Sequence, residues 1–250
     1  MTADSRFRFA HDLPPLDAEP AVREAARALV EAVRQAAGRR ALSAESYAAA
    51  LETLGRVRGQ PLALPLLASG AGSGARVRLA DGRPVLDLVS GIGPYVFGHG
   101  DPDLLETAVV AAASDVVFQG HVLPGPEYAR LAESLARHAG PRLTTVWLSL
   151  SGSMANENAW KTILQKRAPA DEVLAFEHAF HGRTLAMAAL TDRPEYREGL
   201  PVRETVHRVP FHDPTDPHST QKSVDSVERA LAARPGRIAA MCFELVQGEG

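Results

Sequence analysis

The chain has 250 residues, 45% of them hydrophobic and 23% charged, a globular composition long enough for one large domain or two ordinary ones. Its net charge of −3, without any block of like charge, argues against nucleic acid or an acidic membrane as a partner. The single cysteine, Cys242, excludes an internal disulfide framework and a multi-cysteine zinc site, and no apolar stretch reaches the roughly 18 residues of a membrane span.

The first part of the chain, 1–60, reads as a helical extension. Met1–Arg6 lacks the apolar core of a signal peptide, so the expected setting is the reducing cytoplasm. Apolar spacing predicts a helix over 19–37 with Gly38 as its stop, and Ser43 is placed to cap a second helix running to about Val57. Residues 61–100 read as a β-hairpin and loop: 75–79 alternates, Asp81-Gly82 turns the chain, and 85–89 alternates back. A glycine-punctuated loop, 90–100, follows. The Gly70–Ala75 segment loosely fits a dinucleotide-binding pattern but precedes a strand instead of opening a helix, and is discounted.

From residue 101 to 250 the pattern becomes that of an α/β domain. Asp101-Pro102 opens one helix and another spans about 127–138 before Gly140. Strands are then expected at 144–148, 172–176, 204–209 and 237–246, with helices up to Arg167, over 185–190 and over 222–233. Apolar strands alternating with helices predict a mostly parallel sheet flanked by helices. Cys242, in the run Ile238–Phe243, reads as a buried strand thiol.

Three expected strand ends carry polar or glycine-containing segments: Ser151-Gly152-Ser153, His178–Gly182 and Glu244–Gly250. Ligands of open parallel sheets bind at such ends, so three in succession suggest one site. Ahead of a helix expected near Met154, Ser-Gly-Ser offers close backbone approach, hydroxyls and the positive end of a dipole, which suits a phosphate. The same tripeptide also suits a plain capping turn. That helix is expected to turn Ala155, Ala159, Trp160, Ile163 and Leu164 inward and to pair Glu157 with Lys161 outside. Phe180 could stack on a planar ligand or pack in the core, and His181 beside it could be structural. Glu244 and Glu249 close an apolar strand, where a carboxylate needs a partner unless it is solvated. No metal site is expected: His178 with His181, or His212, Asp213, Asp216 and His218, fit a solvated loop better than a ligand set. A serine hydrolase using Ser151 or Ser153 with His181 lacks the glycine-flanked nucleophile elbow.

Taken in order, these segments resemble the class III aminotransferases, pyridoxal-phosphate enzymes of fold type I. The resemblance runs from near Gly74 through Ala80–Arg83, Leu86-Asp87, Ser90–Gly93 and Gly98-His99. It continues through Ser151–Glu157, Phe180–Leu185 and Val246–Gly250. It implies the first part of a PLP-binding α/β large domain, with Gly152 and Ser153 on the cofactor phosphate and Phe180 on the pyridine ring with His181 beside it. It implies Glu244 and Glu249 near cofactor and substrate, an amino acid or ω-amine donor, a 2-oxo acid acceptor, and a homodimer. Met154 stands where the family usually has glutamate and Leu245 where proline is common. Ile92, near a position where some members place a substrate-facing tyrosine, disfavours an ornithine-type substrate.

No catalytic residue of the family falls within the chain. The lysines are Lys161, Lys166 and Lys222, none in the motif that carries the Schiff-base lysine, which is expected beyond Gly250. The expectation is therefore the N-terminal part of an aminotransferase, inactive by itself. The alternative is a non-catalytic or split subunit that binds a phosphate ligand and completes its fold with a partner chain.

Overall fold

The computed structural model describes residues 14–114 and 123–250, so the Met1–Arg6 segment lies outside the described residues. The chain divides into two compact units, Met1–Thr144 and Thr145–Gly250.

In the first unit, α1 (Pro20–Arg39) runs through Gly38, the expected stop. It ends because the next residues join the hairpin, where Leu42 N–H donates to the Ala80 carbonyl at 2.7 Å. Helix α2 (Ala44–Arg58) begins as expected, with the Ser43 hydroxyl accepting from Ser46 N–H at 3.2 Å. The sheet is a three-stranded antiparallel meander of β1 (Ala68–Ser73), β2 (Arg76–Leu79) and β3 (Pro84–Leu86). Strand β1 was not expected. Its glycines show no alternation, and its strand character comes from the ladder that pairs Ser73 with Arg76 and Ala68 with Leu79. Strand β3 stops at Leu86, short of the expected Val89. The Asp87 carboxylate turns the chain there by accepting from the N–H groups of Val89 (2.8 Å) and Ser90 (2.9 Å), and its other oxygen lies 2.6 Å from His99 Nε2. Paired hydrogen bonds between Gly74 and His99 (2.8 and 3.0 Å) close the base of this hairpin-and-loop segment. Helix α3 (Pro102–Ala113) is capped by Asp101 and packs on α1, where buried Glu106 holds Arg27 at 2.8 Å. Helix α4 (Pro126–Ala139) ends at Gly140 as expected.

The second unit is a parallel sheet in the order β5-β4-β6, formed by β4 (Glu172–Phe176), β5 (Thr205–Val209) and β6 (Ile238–Cys242). Residues 144–148, expected as a strand, belong to neither sheet, and Trp147 is 64% exposed. Alternation sets out the faces of a strand, but the strand exists only where a neighbouring ladder receives it. Strand β6 ends at Cys242, four residues short of the expected end. Beyond it the Glu244 carboxylate accepts from Gly248 N–H at 3.1 Å and folds the chain back. Cys242 itself is half-buried.

Helix α5 (Gly152–Arg167) starts two residues before Met154. Its inward side is Ser153, Asn156, Glu157, Trp160, Ile163 and Leu164, whereas Ala155 and Ala159 are exposed. The expected Glu157–Lys161 pair does not form, because Glu157 accepts from the Thr184 hydroxyl at 2.8 Å and Lys161 reaches Asn158 at 3.3 Å. The core joins Trp160 of α5 to Val173 of β4 and to Ala186, Met187, Ala189 and Leu190 of α6 (Leu185–Leu190). Helix α7 (Ser219–Ala233) packs on β5. The sheet is α/β with parallel strands flanked by helices, as the pattern predicts.

Candidate functional site

Three chain segments meet where β4 and β6 end and α5 begins. At the start of α5, the Ser151 hydroxyl is spent on Met154 N–H (3.2 Å), and the Ser151 carbonyl accepts from Ala155 N–H (2.9 Å). The capping reading of Ser-Gly-Ser therefore holds for Ser151. It leaves the amides of Gly152 and Ser153 and the Ser153 hydroxyl uncommitted among the described residues, at the positive end of a 16-residue helix. A β-carbon added at Gly152 would meet nothing within 4 Å, so this terminus opens onto free space.

Ser153 packs against the loop after β4. A β-carbon at Gly182 would lie 2.4 Å from Ser153 Oγ, and Gly182 has φ +126°, so only glycine fits. Residue 181 is anchored on both sides: its N–H donates to the Thr191 hydroxyl (2.9 Å), and its carbonyl accepts from the Asn156 amide (2.9 Å). The Thr191 hydroxyl in turn donates to the Gly182 carbonyl at 2.9 Å. The His181 side chain is buried, at 5% exposure for the residue, with Nδ1 3.4 Å from Cys242 Sγ and Nε2 buried without a partner among the described residues. Burial, assisted by the positive charge of Arg208, holds its pKa below the ordinary 6.5 against the opposing pull of Glu244, so the imidazole is kept neutral.

Glu244 reaches across from the end of β6. One carboxylate oxygen accepts from Phe180 N–H at 3.1 Å, the other from Gly248. The Phe180 ring is half-buried and meets Tyr196 edge-on, with centroids 6.1 Å apart. Glu249 is placed differently: Arg193 holds it at 3.1 Å and also donates to its carbonyl at 2.7 Å. The structure thus joins Phe180 to Glu244 by a direct hydrogen bond, sets Ser153 against Gly182 and His181 against Cys242, and ties Glu249 to Arg193.

Asn156, Thr191 and Arg208 were not singled out from the sequence, and Cys242 was read only as a buried strand thiol. Asn156 was within reach of a helical-wheel reading, being three residues after Ser153 on the same face. Arg208 gave no such signal. Its guanidinium donates to the carbonyls of Ala189 (2.7 Å), Leu190 and Thr191 (3.0 Å), holding the end of α6.

Among the described residues no three His, Cys, Asp or Glu side chains come together as a metal site. The His212–His218 loop is closed on itself, with His212 against the Ser219 hydroxyl (3.1 Å) and Asp216 against Lys222 (2.6 Å). Lys161 and Lys222 are thereby committed elsewhere, and Lys166 lies in the last turn of α5. No helix of the described residues is long and apolar enough to cross a membrane.

The family model for class-III aminotransferases matches residues 59–250. An acetylornithine aminotransferase of Xanthomonas campestris is 36% identical over 186 residues, covering 72% of this chain and 42% of that protein. An adenosylmethionine-8-amino-7-oxononanoate aminotransferase of Synechococcus elongatus is 34% identical over 197 residues, covering 72% and 45%. The chain therefore spans less than half the length of these curated relatives. Among solved structures, a PLP-bound amine transaminase from an uncultivated Pseudomonas species superposes with a TM-score of 0.66 at 23% identity, covering 73% of this chain and 45% of that one. An (S)-enantioselective omega-transaminase from Thermomicrobium roseum gives 0.69 at 24% identity, covering 83% and 50%. Fold and sequence agree: the chain has the transaminase fold of type I and belongs to the class-III aminotransferases.

Proposed function

We propose that the chain forms the cofactor-holding part of a pyridoxal-phosphate-dependent aminotransferase, which passes an amino group from an amino acid or ω-amine donor to a 2-oxo acid. The observation that carries this reading is the convergence of an uncommitted helix terminus, a neutral buried imidazole, an aromatic ring and a carboxylate at one edge of a parallel sheet. The residues fit the group. Gly152 opens onto free space, and its amide, the Ser153 amide and the Ser153 hydroxyl beside Gly182 suit a phosphate. The Phe180 ring suits stacking on a pyridine, and its backbone is fixed by Glu244.

Once bound, pyridoxal phosphate supplies the electron sink that transamination requires. The chain's own residues bind and orient. Gly152 and Ser153 would hold the phosphate and Phe180 would stack on the ring, with His181 kept neutral by burial. Glu249, paired with Arg193, is assigned to the substrate side by the family resemblance. The placement of Lys161, Lys166 and Lys222 supports a further inference, that this chain alone holds the cofactor without transferring an amino group. A homodimer follows from the family resemblance, and the lone cysteine favours a cytoplasmic setting.

The test is a titration of the whole protein with pyridoxal phosphate. Ser153→Ala removes a hydroxyl donor to a charged oxygen and is expected to lower affinity roughly ten- to a hundredfold, the equivalent of about 1.5–3 kcal/mol. Met154→Ala, one residue further along the helix and without a polar group, should leave affinity close to that of the parent. Equal losses in the two variants would overturn the phosphate assignment.

A further inference from the structure

The one feature of the site that the cofactor reading leaves unexplained is the contact between Cys242 and His181. Strands β4 and β6 are neighbours, so the thiol at the end of one stands 3.4 Å from Nδ1 of the imidazole in the loop after the other. Two observations give this contact content beyond that of a solitary cysteine. His181 is 5% exposed, and its second ring nitrogen, Nε2, is buried with no partner among the described residues. Both groups are also uncharged: burial and the neighbouring Glu244 carboxylate hold the thiol protonated, while burial keeps the imidazole neutral.

A neutral pair of this kind shares one hydrogen bond, and its direction decides the tautomer. An imidazole nitrogen is a far better acceptor than a thiol sulfur, so S–H···Nδ1 is favoured over N–H···S. With Nδ1 accepting, the ring proton must sit on Nε2, which makes the partnerless nitrogen a donor. We propose that Cys242 is a positioning residue that locks His181 in the Nε2–H tautomer, so that the site presents one buried N–H to an acceptor brought by cofactor or substrate. The backbone anchors at Thr191 and Asn156 fix where the ring stands, and the thiol fixes which nitrogen carries the proton. An aliphatic side chain at position 242 would keep a contact with the core cluster but would leave the tautomer undetermined.

Only the binding arm of the test rests on the cofactor reading. In the whole protein labelled with ¹⁵N-histidine, the ring nitrogens of His181, assigned by loss of its signals in His181→Asn, report the tautomer directly. The expected spectrum has an unprotonated Nδ1 and a protonated Nε2. Cys242→Ser, which keeps a donor, should preserve that pattern, whereas Cys242→Val, which keeps the bulk, should give a mixture of tautomers. Thermal melting of both variants checks that they remain folded; should Cys242→Val melt, Cys242→Ala takes its place. A proton on Nδ1 in the parent protein, or a spectrum unchanged by loss of the thiol, overturns the proposal. Pyridoxal-phosphate affinity provides the second arm, with a loss of about three- to tenfold in the valine variant, rescued by serine, expected for a hydrogen bond no longer preorganised. If the parent protein shows the expected tautomer yet takes up no cofactor, the cofactor reading fails and the role of Cys242 in setting the tautomer stands.

Discussion

The two edges of the parallel sheet in the second unit are built from the same three strands and are opposite in character. At the amino-terminal edge, Glu172 is 4% exposed and its carboxylate is consumed by His207 at 2.6 Å and Arg237 at 3.2 Å, with Arg234 at 3.7 Å. Asp171 beside it takes the rest of the Arg237 guanidinium at 2.7 Å. Glu172 there is met by two guanidinium groups and an imidazole. At the carboxyl edge two amides, a hydroxyl and an imidazole nitrogen have no partner among the described residues. A parallel sheet points its strands one way, so its two ends are chemically distinct. One end here is spent on tying the strands together, and the other is where the proposed ligand would sit.

The comparison is broken most severely at Gly182. Gly182→Ala combines a side chain 2.4 Å from Ser153 Oγ with a backbone φ of +126°, and is expected to cost about 3 kcal/mol in thermal unfolding, with loss of cofactor binding. Unchanged melting would show that the loop is not pinned to α5. A smaller effect is expected from Phe180→Ala, which removes stacking worth about 1 kcal/mol beyond lost burial and should appear as weaker cofactor binding with little change in melting. Weaker melting with unchanged affinity would assign the ring to the core.

The amino-terminal edge answers to pH. The hydrogen bond from His207 is the main reason that the Glu172 carboxyl lies below its ordinary value of 4.5. Stabilisation from a lowered carboxyl is complete above the unfolded value and is lost as pH falls through the folded one. Denaturant midpoints measured from pH 6 downwards should therefore fall below pH 4.5, and Glu172→Gln should flatten that decline while lowering the plateau. An undiminished slope in the variant would place the acid sensitivity elsewhere. The smallest effect is reserved for Ser151→Ala, a lost helix cap worth about 1 kcal/mol in melting, with cofactor affinity changing less than in Ser153→Ala.

What the sequence shows and what it hides separates along a physical line. Strand β4 and helix α6 were expected at their observed residues, because apolar runs bounded by turn residues carry their own signal. The glycines and serines of the site were equally visible, since close backbone approach demands particular residues at particular places. Strand β1 and the 144–148 segment were misread in opposite directions for one reason, that ladder pairing depends on a neighbour and not on local pattern. Glu249 could be picked out but not its partner, because nothing local connects residue 193 to residue 249. The contact between Cys242 and His181 belongs to the same class: it exists because two strands are adjacent, and adjacency is written in no single segment.

The Gly74–His99 clamp in the first unit has a consequence for how that unit tolerates change. The chain between these residues leaves and returns at a single point, where a β-carbon on Gly72 would lie 2.8 Å from His99 Cβ, so the two sides of the base are already as close as backbone allows. Closing a loop costs entropy that grows only slowly with its length, by about 0.6 kcal/mol for each doubling. With the base fixed by the clamp, added residues near the exposed Ile92 or Val96 lengthen a loop that is already closed and leave its ends where they were. Added length in this segment is thus expected to cost little stability, whereas a single methyl group at position 72 is expected to cost more.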